Sequence, residues 1–154
     1  MYSKEEIKEI RTEFWNDFKK HMQQFRSSNG RRMNWLNYPS EVPNVYIRLH
    51  ADNRGISFSF DIQGKDEGIR AILWEQMTEL KVMLESEMGD EGEWIADAYS
   101  ETAGDFCSIR WSKEGLRFFN PNNKEEIFAF FEERLLKFDI FYQEFKDILI
   151  NLAS

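Results

Sequence analysis

The chain has 154 residues, 42% hydrophobic and 31% charged, enough for a single domain, residues 1–154, that buries roughly two-thirds of its unfolded surface. Its formal net charge of −8 disfavours nucleic-acid binding, because domains that neutralise phosphates usually carry a positive excess. The single cysteine excludes an internal disulfide. The sequence has no apolar run of membrane length and its N-terminus is charged, which predicts a cytoplasmic protein without membrane contact.

The first predicted element is an amphipathic helix from Ser3 to Phe25. Ser3 and Glu6 have the spacing of a capping box. Apolar residues then recur at helical spacing and are expected in the core: Ile7, Ile10, Phe14, Phe18, Met22 and Phe25. The loop that follows, residues 26–32, carries three arginines. They could meet an anionic ligand, although a solvent-exposed loop is the simpler interpretation.

Strict alternation of apolar and polar residues from Val45 to Gln63 predicts an antiparallel hairpin. Its turn is Asp52-Asn53-Arg54-Gly55, in which Gly55 is expected to adopt a positive φ. One face of the hairpin is therefore apolar. The other face is polar and carries Tyr46, Arg48, His50, Ser57, Ser59, Asp61 and Gln63.

A second helix is predicted from its N-cap Asp66 to Met88, with Gly89 at its C-terminal end. Its expected buried stripe is Ile69, Ile72, Leu73, Met77, Leu80, Met83, Leu84 and Met88. Two more strands are predicted, Glu93 to Ser100 and Phe106 to Trp111, joined as a second hairpin. The residues expected to point inward are Trp94, Ala96, Ala98, Cys107, Ile109 and Trp111.

The segment from Gly115 to Asn120 is predicted as a short fifth strand, and the last and longest helix runs from Pro121 to about Leu152. This helix has more rings than one narrow stripe can hold: Phe128, Phe131, Phe138, Tyr142 and Phe145. The excess predicts a homodimer through this helix, the polar sheet face, or both. The competing explanation is that the first helix covers the second side of the last one.

These elements predict an α+β fold in the order α-ββ-α-ββ-α. The architecture is a two-layer sandwich, in which three amphipathic helices cover one face of a meander-like antiparallel sheet. The sheet has four to five strands in two hairpins.

The polar sheet face is the candidate ligand site. It brings both charge signs and a histidine together, as a site for a small ligand or a peptide would. The alternative is a cross-strand charge ladder open to water. The residues assigned to the candidate site are Tyr46, Arg48, His50, Ser59, Asp61 and Arg110, and Asp97 is expected nearby.

Catalytic patterns are few, so we expect neither catalytic residues, nor a cofactor, nor a metal site. Cys107 and His50 could form a nucleophilic pair, although a lone cysteine in an apolar strand is usually a core residue. A metal-dependent nuclease of the PD-(D/E)XK kind would use Asp52, Asp61 and Lys65. However, its acid-x-Lys position reads Gln63-Gly64-Lys65, and the amide offers the metal only a neutral oxygen.

Several longer motifs carry a resemblance to a known family: Glu13-Phe14-Trp15 with Phe18, Asn34 to Tyr38, Tyr46 to Arg54, Lys65 to Arg70 and Phe130 to Asp139. Together they resemble the prokaryotic family called domain of unknown function 4268, over nearly the whole chain. The resemblance implies no established activity, cofactor or catalytic residue. Some relatives are attached to restriction-endonuclease-like domains, which implies a nucleic-acid context.

We therefore expect an interaction or ligand-binding module without catalytic activity. The alternative is an accessory domain in nucleic-acid processing.

Overall fold

The computed structural model describes residues 2–154 and has an α+β fold with four α-helices where three were predicted. In chain order the elements are α1 (Lys4–Met22), β1 (Val45–Ala51), β2 (Gly55–Ile62), α2 (Glu67–Glu79), α3 (Lys81–Met88), β3 (Glu93–Ser100), β4 (Gly104–Glu114), a 3₁₀ turn (Pro121–Asn123) and α4 (Lys124–Ala153).

The four strands form one antiparallel sheet in the order β1-β2-β4-β3. The prediction of a meander-like sheet is therefore wrong, because the second hairpin adds to the first through β4. The pairing has a physical reason: Cys107, Ile109 and Trp111 of β4 lie opposite Ile62, Phe60 and Phe58 of β2 and extend one apolar surface. All three β4 residues are buried, as predicted.

Strand β3 lies at the edge of the sheet and contains an irregularity between Ile95 and Ala98. Trp94 packs inward against Trp74, with 5.4 Å between ring centroids. Past the irregularity the phase of the strand changes, so Ala98 lies opposite Phe106 and shares its face, whereas Ala96 is exposed. The inward assignment of Ala96 and Ala98 was therefore wrong, because a bulge reverses the alternation that the prediction assumed.

The segment 115–120 is a turn rather than a fifth strand. Gly115 has a φ of +83° and donates its N–H to the carbonyl of Arg54 at 2.9 Å, which leads the chain away from the sheet. Leu116 and Phe118 still reach the core, where they are 7% and 5% exposed. Their apolar character reflects this burial, so the prediction of a strand from these residues is wrong.

The predicted second helix is divided at Leu80, which ends α2 and precedes α3 with φ −90° and ψ 3°. The division changes which side chains reach the core. Leu73, Met77, Leu80, Leu84 and Met88 are buried as expected. Three other members of the predicted stripe are exposed instead: Ile69 at 38%, Ile72 at 47% and Met83 at 52%.

Three of the predicted helix ends agree with the structure, but α1 ends at Met22 instead of Phe25 and α4 begins at Lys124 instead of Pro121. The hairpin turn has a different cause from the one expected. Ser3 and Glu6 form a capping box, Asp66 caps α2, and Gly89 ends α3 with a φ of +75°. Gly55, however, does not have a positive φ. A Cβ at this position would lie 2.3 Å from the carbonyl oxygen of Lys113 on β4, so a close strand approach requires glycine there.

The aromatic residues of α4 are accommodated within the chain. Phe138 of α4 packs against the sheet, with its ring centroid 5.3 Å from that of Phe58. Phe128 of α4 packs against Phe14 and Phe18 of α1. The competing explanation, that α1 covers a second side of the last helix, therefore accounts for the rings. Within residues 2–154, none of the helices is both long enough and apolar enough to cross a membrane.

Candidate functional site

All six residues predicted for the ligand site lie on one face of the sheet. Arg48 on β1 pairs with Ser59 on β2, and Ser59 pairs in turn with Arg110 on β4. The helices pack against the opposite face, through the alternate residues of each strand. We call the candidate site the polar face and define it by Tyr46, Arg48, His50, Ser59, Asp61, Ser108 and Arg110.

Asp61 lies at the centre of the polar face and is only 4% exposed. One carboxylate oxygen accepts the hydroxyl hydrogen of Ser108 at 2.6 Å, and the other accepts that of Ser59 at 3.4 Å. The Nε of Arg48 lies 3.9 Å from the same carboxylate, and the Nε of Arg110 donates to Ser108 Oγ at 3.0 Å. One buried carboxylate therefore orients both arginines, one directly and one through a serine.

The outer nitrogen atoms of the two guanidinium groups have no hydrogen-bond acceptor among residues 2–154. The guanidinium carbon of Arg48 lies 4.6 Å from the ring centroid of Tyr46, which restrains its orientation. The side chain of Arg48 is 40% exposed, so its outer nitrogens can donate to a molecule in solution. The arrangement suits an acceptor with two oxygens, such as a carboxylate or a phosphate.

His50 lies at the end of the polar face that is closer to the hairpin turn. His50 is exposed at the surface, but partial desolvation by the surrounding atoms lowers its pKa. The charges of Arg48 and Arg110 lower the pKa further, and the carboxylates of Asp61 and Asp52 oppose the shift. The imidazole is therefore neutral at neutral pH, where it offers one donor and one acceptor. It adds hydrogen-bonding capacity to the face without adding charge.

Ser108 alternates with Cys107 and Ile109, which the sequence predicts to point inward, so its strand position predicts the polar face. It is not among the six residues assigned to the site. It is fully buried and connects Asp61 to Arg110. Its importance depends on β4 lying directly beside β2, and alternation within one strand contains no information on strand order. A sequence signal for this role is therefore absent.

The structure contradicts the nuclease-like interpretation. Asp61 lies opposite Tyr46, which precedes Asp52 by six residues along the first strand. The Cα atoms of Asp61 and Asp52 are therefore roughly 20 Å apart. Asp52 instead accepts the backbone N–H groups of Arg54 and Gly55 at 2.8 and 3.1 Å, and these bonds lower its pKa. No group of three or more His, Cys, Asp or Glu side chains within residues 2–154 is placed to hold a metal ion.

The suggested pair of Cys107 and His50 does not form either. Cys107 is opposite Ile62 on the apolar face, whereas His50 is opposite Ser57 on the polar face. The thiol is buried and donates to the carbonyl of Ala96 at 3.3 Å, and burial raises its pKa. Cys107 is therefore a core residue.

A second buried carboxylate, Asp139 on α4, holds the segment between α1 and β1. It accepts hydrogen bonds from the Ser27 hydroxyl at 2.8 Å, the Ser28 N–H at 2.6 Å and the Tyr38 hydroxyl at 2.6 Å. These three bonds join the segment between α1 and β1 to α4, which is a structural role. The three arginines of the loop 26–32, Arg26, Arg31 and Arg32, are exposed.

An open antiparallel sheet with helices on one face and a polar cluster on the other defines a small α+β protein. The family model of a domain of unknown function (DUF4268) matches residues 10–146, and the chain belongs to this family. The resemblance found in the sequence is thereby confirmed. The family description contains no activity, ligand or partner. No curated protein and no solved structure shows a significant match to the chain.

Proposed function

We propose that this protein is a non-catalytic, single-domain binding module and that its polar face binds a small anionic molecule through Arg48 and Arg110. The observation that carries the proposal is the sharing of one buried carboxylate, Asp61, by two guanidinium groups. These three groups have a formal net charge of +1, and Glu93, the cross-strand partner of Arg110 on β3, brings the sum to zero. The polar face is therefore less negative than the chain as a whole, whose formal net charge is −8.

The geometry supports a ligand that bridges the two arginines. Arg48 and Arg110 are separated by one strand, with Ser59 between them, so their Cα atoms are roughly 10 Å apart. A phosphate or carboxylate centred above Ser59 can reach both guanidinium groups. Ser59 is only 1% exposed, so neighbouring side chains cover it and the anion would bind on the outer side of the two guanidinium groups.

A second candidate function is the accessory role in nucleic-acid processing. It is favoured by one observation, the stacking of Arg48 over Tyr46 on an open sheet, because single strands bind through rings and cations of this kind. The net charge of −8 opposes it. We expect no retardation of single- or double-stranded oligonucleotides at low salt, and salt-sensitive retardation would favour this second function.

Homodimerisation and a cytoplasmic location remain predictions. The rings that motivated the dimer are used within the chain, but Ile140 of α4 is 45% exposed. The dimer proposal therefore rests on this residue and on the polar face. Light scattering at micromolar concentration tests it, and a mass of 18.5 kDa would identify a monomer.

The anion site is tested by nuclear magnetic resonance titration of the full chain. The probes are inorganic phosphate, a nucleoside monophosphate and a dicarboxylic acid, which separate phosphate from carboxylate ligands. We expect shifts at residues of the polar face with at least one probe. Arg48→Gln and Arg110→Gln should each weaken that binding by about ten-fold, the size expected for a charge-assisted bidentate bond.

Arg54→Gln is the matched control, because it removes the same charge from an exposed position in the hairpin turn. It should leave the affinity within about two-fold of that of the wild type. Equal losses in all three variants would show that only the overall charge matters. Shifts confined to other surfaces, or no shift with any probe, would also contradict the proposal.

A further inference from the structure

We propose that the groove between α3 and the C-terminal half of α4 binds an amphipathic helix of a partner protein, with lysine or arginine beside its apolar stripe. The groove encloses about 440 Å³ and lies on the helical side of the molecule, away from the polar face. Its lining comes from both helices: Val82, Met83, Ser86, Glu87, Phe141, Glu144 and Phe145. The proposal is independent of the anion site.

The apolar lining is unusually exposed for a soluble chain. Val82 is 80% and Met83 is 52% exposed, and both belong to α3. The helix break at Leu80 explains this exposure in part, because Leu84 and Met88 take the buried positions of α3. Met83, a member of the predicted core stripe, therefore remains at the surface, where exposed apolar residues in a group mark interaction sites.

The apolar surface of the groove continues along α4 toward the C-terminal end of the helix. Phe141, Phe145, Ile148 and Leu152 follow one another at spacings of four, three and four residues, which places them on one side of a helix. Phe141 is only 2% exposed and forms the floor of the groove, whereas Ile148 and Leu152 are 41% and 40% exposed. Together the four cover twelve residues, or roughly 16 Å and three turns. This length and spacing match a short helix lying in a groove, whose apolar residues repeat with the same period.

Charge determines which kind of helix fits. Glu87 and Glu144 line the groove, and neither forms an ion pair within residues 2–154. Lys137, one turn before Phe141, is already bound to Glu133 at 2.7 Å. The rim of the groove is therefore negative, and cationic side chains beside the apolar stripe of a partner would complement it.

A second copy of the chain fits this groove less well. A two-fold interface places the same surface on both sides, so the Glu87 and Glu144 carboxylates of two copies would be brought together. Like charges opposite one another disfavour association. A partner helix with basic flanks buries the same apolar residues and also neutralises the carboxylates.

The test uses the full chain and a defined probe, a helical peptide of about fourteen residues with leucine on one side and lysine on the other. Resonance shifts should map to α3 and to residues 141–152 of α4. A peptide with glutamate in place of lysine should bind at least about ten-fold more weakly. The double variant Glu87→Lys/Glu144→Lys should weaken binding of the lysine peptide by about ten-fold or more.

The matched control is Glu75→Lys/Glu125→Lys, which makes the same change of net charge at exposed positions outside the groove. It should weaken binding by no more than about three-fold, through long-range attraction alone. Met83→Lys should abolish binding while the circular dichroism spectrum stays unchanged, because its side chain is half exposed. Equal losses in the two double variants, or shifts outside the groove, would overturn the proposal. Self-association of the free chain that Met83→Lys abolishes would also overturn it, because a second copy would then occupy the groove.

Discussion

The hydroxyl group of Tyr38 donates a hydrogen bond of 2.6 Å to the carboxylate of Asp139, and it joins the segment before β1 to the middle of α4. Both side chains are buried, at 4% and 2% exposure. Burial is the main reason that the pKa of Tyr38 lies far above its usual range, and the bond to Asp139 raises it further. The phenol therefore remains a donor throughout the accessible pH range.

This relationship predicts a large stability loss for Asp139→Ala. The substitution leaves three donors without their acceptor, those of Ser27, Ser28 and Tyr38. We expect the free energy of unfolding to fall by about 3 kcal/mol, since each buried donor left unpaired costs about 1–3 kcal/mol and partial relaxation recovers some of the sum. Tyr38→Phe should cost about 1 kcal/mol, because Asp139 keeps its other two donors.

Urea denaturation followed by tryptophan fluorescence measures these differences. Asp147→Ala is the control on the same helix, because Asp147 is exposed and its loss should change the unfolding free energy by less than about 0.5 kcal/mol. A loss of that small size for Asp139→Ala as well would show that Asp139 does not hold the segment in place.

The polar face gives a second prediction, which concerns Ser108. Its hydroxyl group connects Asp61 and Arg110, so Ser108→Ala removes a donor from a buried carboxylate and an acceptor from a guanidinium group. We expect an unfolding free energy lower by about 1–2 kcal/mol. Ser112→Ala, on the same strand and face but exposed, is the control and should be nearly neutral. If Ser108→Ala and Ser112→Ala have the same unfolding free energy, the link through Ser108 does not stabilise the fold.

The role of Ser108 could not be predicted from the sequence, because it depends on which strands are neighbours in the sheet. Alternation along Val45 to Gln63 correctly assigned the two faces of the first hairpin, because the strand period depends only on local geometry. The partner of Asp61 depends on strand order, which is a property of the whole chain. The second hairpin pairs through β4, so Ser108 lies beside Asp61 and the predicted inward phase of β3 fails after its bulge.

The helical region shows the same limit in another form. The apolar stripe from Ile69 to Met88 was correctly recognised as helical, and its two ends were correctly placed at Asp66 and Gly89. The break at Leu80 has no proline or glycine to indicate it. Helix periodicity then counted Met83 as a core residue, although the division of the helix leaves it half exposed.

A third prediction follows from the lowered pKa of His50. Because its pKa in the folded state is below that of the unfolded chain, about 6.5, the unfolded state binds more protons in the interval between the two values. Stability is therefore complete above about pH 6.5 and falls as the pH decreases through the folded pKa. His50→Gln should make the unfolding free energy less dependent on pH between about 7 and 5.

Urea denaturation at several pH values measures the slope for both proteins. Ser57→Ala, which alters the cross-strand partner of His50 and keeps the imidazole, is the control and should preserve the wild-type slope. Equal slopes for His50→Gln and the wild type would contradict the prediction, because the carboxylates of Asp61 and Asp52 would then balance the desolvation of the ring.

The last prediction concerns Gly55. The sequence predicts a glycine with a positive φ in the turn, whereas the structure requires glycine because β4 approaches closely. A turn with positive φ at Gly55 would tolerate asparagine, since asparagine adopts that conformation more readily than other residues. A close approach of two strands would not tolerate it, because any Cβ meets the Lys113 carbonyl oxygen at 2.3 Å. Gly55→Ala and Gly55→Asn should therefore both lower the unfolding free energy, by about 2–3 kcal/mol, through overpacking at the start of β2.

Gly68→Ala is the control, because its Cβ would meet only the Asp66 side chain, at 3.3 Å, and alanine favours the first turn of α2. Thermal unfolding separates the two explanations: a stable Gly55→Asn variant beside a destabilised Gly55→Ala variant would restore the turn explanation.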